Sequence, residues 1–308
     1  MKSVKVFAPA TVANLGCGFD VMGLAIDQPG DEIILSFNNE KKLVIKKITG
    51  DGGKLSYDAK KNTATVAIQS MLNELKSKQG FDVILKKQMP LGSGLGSSAA
   101  SSVAGVYAAN ILLGKPFKKK ELVQFAMQGE KVASGAAHAD NVAPCMLGGI
   151  ILIRSYHPLD IIQLPVPKNL YLVVVHPHVE VLTKDARAVL KKNIPMNIAI
   201  QQWGNTAALT AGLFSNDLNL VGRSVEDHVA EPYRAALIPH FNAVKKSALE
   251  NGAIACSISG SGPSIFAMCK GKTQTKEIAD AMKKIFSQHR IKSESYISAV
   301  NKNGVRII

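Results

Sequence analysis

A glycine-rich segment in the first half of the chain carries the strongest chemical signal in the sequence. Its residues are Pro90, Leu91, Gly92, Ser93, Gly94, Leu95, Gly96, Ser97, Ser98, Ala99 and Ala100. Glycines at alternate positions let backbone N–H groups approach an oligophosphate without interference from Cβ atoms. Because the segment opens a predicted helix, free amides and the positive end of the helix dipole favour an anion there, and the serine hydroxyls can bind phosphate or Mg²⁺. The segment is therefore predicted to hold nucleotide phosphates.

Three other interpretations of this loop have to be considered: a Walker A motif, a dinucleotide-binding loop and a tight structural turn. A Walker A motif is excluded because the start of the helix lacks the lysine that pairs with the β and γ phosphates. The spacing of Gly94, Gly96 and Ala99 matches a dinucleotide fingerprint, but about 20 residues later the chain reads GKPF rather than a strand that ends in an acid. A tight structural turn stays open, although eleven residues of this composition between a strand and a helix disfavour it.

The elements that must position the loop are a predicted strand at residues 81–86 and a predicted helix at residues 98–113. Gly114 and Pro116 follow that helix and form a stop signal. A further predicted helix at residues 120–133 would bring Glu130 to face the loop. Since strands and helices follow one another without a regular βαβ repeat, the sequence favours the α+β class.

The length of 308 residues exceeds the usual size of a single core, so we expect two domains. Pro165 and Pro167 lie in a stretch of weak periodicity just before a strand-like run at residues 171–175. We therefore predict a nucleotide-binding domain over residues 1–166 and a second domain over residues 167–308.

Composition and patterning indicate a globular cytoplasmic protein. Hydrophobic residues make up 46% and charged residues 19% of the chain, and no apolar stretch is long enough for a signal peptide or a membrane span. The cysteines are widely separated, so free thiols are expected rather than a disulfide framework or zinc site. They are Cys17, Cys145, Cys256 and Cys269.

A net charge of +14 makes an anionic partner plausible, and nucleotide phosphate, nucleic acid and acidic lipid all fit. The lysine runs at residues 41–42, 60–61 and 118–120 have no aromatic residues between them, as a platform for single strands would need. A solvated basic surface is favoured over a nucleic-acid site. We expect no nucleic-acid or membrane partner, while an RNA-binding protein is kept as the second hypothesis.

The sequence His176-Pro177-His178-x-Glu180 has the residue types of a zinc site. Because it contains proline and follows a predicted strand, we expect a loop of uncoupled side chains instead. The sequence contains no G-x-S-x-G motif, which excludes the usual elbow of a serine hydrolase.

Three segments together resemble the GHMP small-molecule kinases. They are residues 8–25, APATVANLGCGFDVMGLA, the loop at residues 90–100, and residues 259–264, SGSGPS. Their order and spacing span nearly the whole chain. The resemblance implies ATP and Mg²⁺ as cofactors and an α+β fold of two domains, the first like ribosomal protein S5 and the second a ferredoxin-like α/β sandwich.

Further segments resemble the homoserine branch of that family. They are residues 129–130, 135–144, 183–187 and 231–234. This resemblance implies ATP-dependent phosphorylation of the side-chain hydroxyl of L-homoserine, giving O-phospho-L-homoserine for threonine synthesis. It leaves open whether two copies pair, although related enzymes are often dimers.

The resemblance also implies which residues bind the acceptor. They are Asn14, Asp20, His138, Asn141, Thr183, Arg187, Arg234 and Gly260. Homoserine is zwitterionic, so Asp20 would accept its ammonium group and Arg234 its carboxylate, with Arg187 on the carboxylate or the γ-phosphate. Asn141, His138 and Arg187 are assigned to catalysis. We expect no carboxylate base: the proton would leave to phosphate or water, with His138 as a relay.

By the same resemblance, Ser98 and Glu130 bind Mg²⁺ and Asn62 lies beside the nucleotide. The residues alone allow other interpretations. A single glutamate has no metal specificity and is usually a solvated helix residue. An asparagine just before a predicted helix is an ordinary N-cap.

Overall fold

The structure, a computed structural model, describes residues 2–308 and contains two β-sheets with helices packed against them. Within those residues the first sheet has seven strands, in the order β11-β1-β2-β4-β3 with β5 and β6 continuing from β2. The strands are β1 (Ser3–Ala13), β2 (Met22–Asn38), β3 (Leu43–Thr49), β4 (Gly80–Lys86), β5 (Ile150–Tyr156), β6 (Leu159–Leu164) and β11 (Arg306–Ile307). All pairs are antiparallel except β3 with β4.

Four helices accompany the first sheet: α1 (Thr63–Glu74), α2 (Ser97–Leu112), α3 (Leu122–Ser134) and α4 (Val142–Leu147). Helix α2 lies against β1 and β2 and is enclosed by α1 and α3. Close packing requires small residues at the contacts. A Cβ on Gly105 would stand 2.9 Å from the Ala64 carbonyl, and one on Gly129 would collide with the Ser102 hydroxyl. The contact at Gly129 places the neighbouring Glu130 beside the first turn of α2.

The second sheet has the order β10-β7-β9-β8 and is antiparallel throughout. Its strands are β7 (Leu170–Pro177), β8 (Ala255–Ile258), β9 (Ile265–Lys270) and β10 (Ser293–Ala299). This order, with a helical connection from β7 to β8 and a helix between β9 and β10, is the ferredoxin-like βαββαβ arrangement. The predicted α+β class and the ferredoxin-like second unit are thus confirmed.

The helices of this second unit fall into two groups. The connection from β7 to β8 contains α5 (Thr183–Ala188), α6 (Met196–Ser215), α7 (Leu218–Ser224), α8 (Glu231–Arg234), a 3₁₀ turn (Ala235–Leu237) and α9 (Phe241–Glu250); α10 (Thr275–Gln288) precedes β10. Helices α9 and α10 pack side by side and cover a second apolar cluster that contains Phe241, Met282 and Phe286.

The predicted division at residues 166 and 167 lies in the connection between β6 and β7. Strand β11 returns to the first sheet and pairs with β1, and Val300 forms a bridge with Ile26. The division into two domains stays a prediction. The C-terminal residues contribute to both sheets, through β10 and β11. None of the helices within residues 2–308 is long and apolar enough to cross a membrane.

The side chains of the HPHVE segment do not converge. His176 is the seventh residue of β7, is buried, and its Nδ1 lies 3.2 Å from the Ser264 hydroxyl. His178 pairs with Glu294 at 3.3 Å, whereas Glu180 lies 3.6 Å from Lys54. Among residues 2–308, no group of three or more His, Cys, Asp or Glu side chains could enclose a metal ion. The cysteines at positions 17, 145, 256 and 269 are buried and free.

His176 is expected to make the fold sensitive to mild acid. Burial, and secondarily the charge of His178, lowers the pKa of His176 from 6.5 to about 4. Between those values the unfolded chain binds a proton that the folded chain excludes, so stability falls as the pH drops from 6.5 to 4. In urea unfolding experiments, the free energy of unfolding of the His176→Gln variant should change by about 2 kcal/mol less over this pH range than that of the wild type. The exposed His157→Gln variant is the control, and an identical pH profile for all three proteins would contradict this role.

Candidate active site

A cleft of about 610 Å³ gathers most of the residues predicted for the site. Those that line it are Asn14, Asp20, Asn62, Leu91, Gly92, Ser93, Gly94, Gly96, Ser97, Ser98, Glu130, His138, Asn141, Thr183, Arg187, Arg234 and Gly260. Pro90, Leu95, Ala99 and Ala100 do not line it, and Leu95, Ala99 and Ala100 are fully buried beneath it. The roles of individual residues stay predictions, but their convergence is a property of the fold.

The glycine-rich loop connects β4 to α2, and the helix begins at Ser97, one residue earlier than predicted. Gly92, Gly94 and Gly96 have φ angles of 64°, 77° and 70°, in the left-handed region that favours glycine. Gly96 occupies the N-cap position of α2 and has no side chain that could accept from the first amides of the helix. Those amides are therefore available to an anion, as the sequence predicted.

The loop glycines differ in the space around them, and this predicts different costs of substitution. A Cβ on Gly96 would collide with the Thr11 hydroxyl, whereas one on Gly92 would meet its nearest atom, Glu180 Cγ, at 3.7 Å. We expect Gly96→Ala to lower the free energy of unfolding by about 3 kcal/mol and Gly92→Ala by about 1 kcal/mol, the cost of φ alone. Urea unfolding midpoints check this, and equal losses would show that the Thr11 contact does not constrain the loop.

Backbone and side-chain hydrogen bonds connect the loop to the other two glycine-containing motifs. The Thr11 amide donates to the Leu95 carbonyl at 3.0 Å, and the Ser264 amide donates to the Ser93 carbonyl at 3.2 Å. The Ser259 hydroxyl donates to the Gly94 carbonyl at 2.7 Å. Segments far apart in the sequence therefore hold the loop at both sides.

Lys87 also lines the cleft and was not among the predicted site residues. It is buried, pairs with the buried carboxylate of Asp31, and donates to the Ser97 carbonyl at 2.7 Å and the Ser101 hydroxyl at 2.8 Å. The other carboxylate oxygen of Asp31 accepts from the amides of Gln88 and Met89. This buried ion pair ties the residues before the loop to the first turn of α2. The sequence signal that could have identified Lys87 is its position shortly before the glycine-rich loop.

Two buried carboxyl groups face the same part of the cleft. Glu130, on α3, lies beside Ser98, and burial raises its pKa to about 7 despite a hydrogen bond from that serine. Burial, and then the charges of Asp20 and Glu130, raises the pKa of Asp140 to about 7. Burial disfavours ionisation of both carboxyls, and a cation bound between them and the cleft would compensate their charge. Both carboxyls and the Ser98 hydroxyl line the cleft, and oxygen donors of these kinds are the ones that Mg²⁺ prefers, so these residues fit the ion that the resemblance implies.

Asp20 and Arg187 form a bidentate ion pair, with N–O distances of 3.1 and 2.9 Å. His138 Nδ1 lies 3.7 Å from the same carboxylate, and its Nε2 has no hydrogen-bond partner within the described chain. Burial lowers the pKa of His138, so the ring is neutral near pH 7. Tyr156, which sequence reasoning missed, donates to the Asp20 carbonyl at 2.7 Å and fixes the backbone of this residue.

Arg234 is 3% exposed and has no acidic partner within 4 Å among residues 2–308. Its Nε donates to the Ala186 carbonyl at 3.0 Å, its Nη1 donates to the Gly260 carbonyl at 2.8 Å, and its guanidinium lies 5.0 Å from the Phe19 ring centroid. Burial and the charge of Arg187 lower its pKa. A buried cation without a carboxylate partner is suited to receive an anionic group of a ligand.

The remaining predicted residues join these groups. Asn14 donates to the Gly260 carbonyl at 2.9 Å and accepts from the Asp20 amide at 3.1 Å, which links the first and third motifs. Asn141 accepts from the Thr11 hydroxyl at 2.6 Å, and Thr183 lies 3.3 Å from the Ser261 hydroxyl.

Asn62 shows that a capping role and a place in the cleft are compatible. It is the N-cap of α1, and its side chain accepts from the Ala64 amide at 3.1 Å. The same residue lines the cleft beside Lys61 and Thr63. The N-cap interpretation is thus confirmed, and the position of Asn62 beside a nucleotide stays a prediction.

Comparison with known proteins gives two family models that match this chain. They are the GHMP kinases N terminal domain over residues 62–149 and the GHMP kinases C terminal domain over residues 209–288. The homoserine kinase of Chlorobaculum tepidum is 50% identical over an alignment that covers 100% of this chain and 99% of the relative. The homoserine kinase of Pyrococcus abyssi is 38% identical and 97% of each chain is covered.

Solved structures give the same result at the level of the fold. The crystal structure of homoserine kinase from Cytophaga hutchinsonii superposes with a TM-score of 0.98 at 56% identity, covering 100% of this chain and 98% of the other. Lactococcus lactis galactokinase complexed with galactose superposes with a TM-score of 0.73 at 14% identity, covering 99% and 95%, which shows a shared fold.

Proposed function

This chain belongs to the homoserine kinases of the GHMP kinase family, and we propose that it transfers the γ-phosphoryl group of ATP to the side-chain hydroxyl of L-homoserine. The product, O-phospho-L-homoserine, would serve threonine biosynthesis. One observation carries the proposal: a phosphate-binding loop at a helix N-terminus opens into the cleft that also contains Asp20 and the buried Arg234. That cleft offers separate charges for a nucleotide and for a zwitterion.

Phosphoryl transfer requires the protein mainly to position two substrates and to neutralise developing charge. We assign the ATP phosphates to the amides of residues 92–98, with Asn62 beside the nucleotide. Ser98 and Glu130 would hold Mg²⁺, with Asp140 as a third candidate oxygen ligand. When bound, that ion would neutralise charge on the phosphate oxygens. The Lys87–Asp31 pair keeps the first turn of α2 in place, so we expect it to act on nucleotide binding through position.

The acceptor is assigned to the opposite part of the cleft. Arg234 supplies a desolvated cation for the substrate carboxylate, and Asp20 supplies an acceptor for its ammonium group. Because Asp20 already pairs with Arg187 through both oxygens, the ammonium group would use the remaining lone pairs of that carboxylate. This arrangement leaves Arg187 at the border between the acceptor and the γ-phosphate. Asn14, Thr183 and the Gly260 carbonyl complete the polar surroundings.

The reacting hydroxyl needs a destination for its proton. We assign both Asn141 and His138 to that hydroxyl. Asn141 cannot take up a proton, whereas a neutral His138 can pass one on through Nε2, which has no hydrogen-bond partner within the described chain. No carboxylate base is required in this scheme, and the proton leaves to phosphate or water. The cytoplasm stays the expected location of the reaction.

An ADP-release assay over a panel of hydroxyl acceptors tests the function. We expect turnover with L-homoserine and at least about 100-fold lower kcat/KM with mevalonate or galactose, since neither carries an ammonium group for Asp20. Turnover of mevalonate or a sugar in the absence of turnover with homoserine would overturn the proposed acceptor. The RNA-binding hypothesis would be favoured instead by tight, steeply salt-dependent RNA binding together with no ATP binding.

A further inference from the structure

Gln202, a half-buried residue of α6, forms hydrogen bonds with two loops that carry the two charged sites assigned to homoserine. Its Nε2 donates to the Cys17 carbonyl at 2.8 Å and to the Asp227 carboxylate at 3.0 Å, and its Oε1 accepts from the His228 amide at 2.8 Å. Because a carbonyl can only accept and an amide N–H can only donate, these partners determine the orientation of the side-chain amide. One side chain therefore joins two loops that are far apart in the sequence.

The first loop carries Asp20, to which the substrate ammonium group is assigned. Residues 14–16 of this loop have φ angles of 71°, 48° and 71°, all in the left-handed region. Non-glycine residues adopt this region at a cost, and they keep it where surrounding contacts hold the backbone in place. The carbonyl of Cys17, which follows directly, accepts from Gln202 and also lies 2.9 Å from the Thr206 hydroxyl. Helix α6 thus holds the loop that determines the position of Asp20.

The second loop leads into α8, the short helix that carries Arg234. The Asp227 carboxylate accepts from the backbone amides of residues 229–231 at 2.8–3.0 Å. Since these amides lie immediately before the helix and at its first residue, Asp227 fixes the direction in which α8 starts. Gln202 donates to the same carboxylate, so α6 also determines the position of the helix that carries Arg234.

Direct packing between the two loops is incomplete. A Cβ on Gly16 would lie 2.3 Å from the Val225 carbonyl oxygen, so the two backbones are in contact at that point. Next to it is a cavity of about 10 Å³, lined from both sides by residues that include Asn14, Asp227 and Arg234. This volume is about the least that can hold a water molecule. The distance between the loops therefore depends on the hydrogen bonds from α6 as well as on packing.

We propose that Gln202 is a positioning residue that sets the distance between the ammonium and carboxylate sites of the phosphoryl acceptor, and with it the selectivity for an α-amino acid. The proposal rests on the proposed function, in which Asp20 binds the ammonium group and Arg234 the carboxylate. Gln202 itself does not line the cleft, so it acts through Cys17 and Asp227.

The chemistry of the substrate makes this distance important. In an α-amino acid the nitrogen and the carboxylate carbon are bonded to the same carbon atom, so the two charges are separated by a nearly constant distance. A site whose two charges come from different loops must reproduce that distance. A misplacement of about 1 Å at a positioning contact can cost on the order of 100-fold in rate.

Replacing Gln202 by leucine removes all three hydrogen bonds and keeps a side chain of similar size. We expect Gln202→Leu to lower kcat/KM for L-homoserine about 50-fold, mainly through a higher KM, and to leave the KM for ATP nearly unchanged. Its neighbour Gln201 is exposed on the same helix, and Gln201→Leu is the matched control, which should behave like the wild type.

Two substrate analogues separate positioning from general damage to the cleft. 3-Amino-1-propanol lacks the carboxylate of homoserine, and 4-hydroxybutanoate lacks the ammonium group. Each analogue uses only one of the two charged sites, so the distance between the sites does not affect its binding. Gln202→Leu should therefore change kcat/KM by less than about threefold for each analogue, whereas a damaged cleft would lower kcat/KM for all three phosphoryl acceptors alike.

Thr206→Val is a milder second variant. It removes the hydroxyl beside the Cys17 carbonyl and leaves Gln202 in place. We expect it to lower kcat/KM about fivefold for homoserine and to leave both analogues unaffected. Far-UV circular dichroism and thermal unfolding establish that each variant is folded, and Thr206→Val decides the result alone if Gln202→Leu does not fold.

The outcomes distinguish this proposal from the proposed function. A wild-type protein without turnover of homoserine would overturn the proposed function, and the role of Gln202 with it. An active wild type would leave the function standing. In that case, equal losses for homoserine and the two analogues, or no loss for homoserine in the folded variants, would overturn only the positioning role of Gln202.

Discussion

Replacing Arg234 by leucine is expected to lower kcat/KM for L-homoserine by about 1,000-fold and to leave the KM for ATP nearly unchanged. The guanidinium is buried and has no acidic partner within the described chain, so its positive charge is available to the substrate carboxylate. Leucine removes that charge and leaves a carboxylate desolvated without a counterion. The loss should appear mainly in KM, because the carboxylate is remote from the reacting hydroxyl and contributes equally to the ground and transition states.

A comparison of substrates separates this role from a structural one. Arg234 also donates to two backbone carbonyls, so its removal could disturb the cleft in general. 3-Amino-1-propanol is homoserine without its carboxylate. Arg234→Leu should reduce the wild-type preference for homoserine over this analogue to within about tenfold, whereas a disturbed cleft would weaken both acceptors alike. The exposed Arg223→Leu on α7 is the matched control. Equal losses for homoserine and ATP would mean that Arg234 is assigned to the wrong ligand.

Most of the residues predicted for the site lie in one cleft, whereas several of the elements around them could not be predicted from the sequence. The glycine-rich loop, the asparagine cap at residue 62 and the helix with Glu130 depend on local chemistry, and the structure brings them to one cleft. Only residues 32–37 of β2 form a short β-branched run that indicates a strand, yet the strand extends over Met22–Asn38. Pro29, Gly23 and Gly30 lie in its first half, and these residue types usually interrupt strands.

Two other elements were missed because they are short. Helix α4 has six residues, including Pro144, and β6 has six residues just after Pro158. Neither is long enough to show a period of its own, and tertiary contacts with β1, β2 and β5 determine both. Short elements that are defined by their neighbours cannot be found from the local pattern.

Buried charges were the second kind of feature that sequence reasoning missed. Lys87 directly follows strand β4 and has no distinguishing sequence pattern, yet it pairs with Asp31, 56 residues away in the sequence. Asp140 was not among the predicted site residues, but burial raises its pKa to about 7. A single sequence does not reveal which lysine or aspartate is enclosed, because enclosure depends on the three-dimensional packing of distant segments.

Replacing Glu130 by glutamine is expected to reduce kcat by about 1,000-fold, through the loss of an ionisable oxygen ligand for Mg²⁺. Glutamine keeps the shape of the side chain, and burial already favours the neutral form of Glu130, whose pKa is about 7. The free energy of unfolding at pH 6 should therefore change by less than about 1 kcal/mol. Mn²⁺ binding in the presence of ADP, followed by electron paramagnetic resonance, should weaken at least about tenfold.

The control for this experiment is Glu121→Gln, an exposed glutamate at the N-terminal end of the same helix. It should retain both Mn²⁺ affinity and kcat. Because the fold is expected to tolerate Glu130→Gln, a lost kcat cannot be attributed to unfolding if the unfolding curves of the variant and the wild type coincide. A variant that loses activity but binds Mn²⁺ as tightly as the wild type would show that Glu130 acts on the phosphates or on Ser98 rather than on the ion, and the metal site would then have to be centred on Asp140.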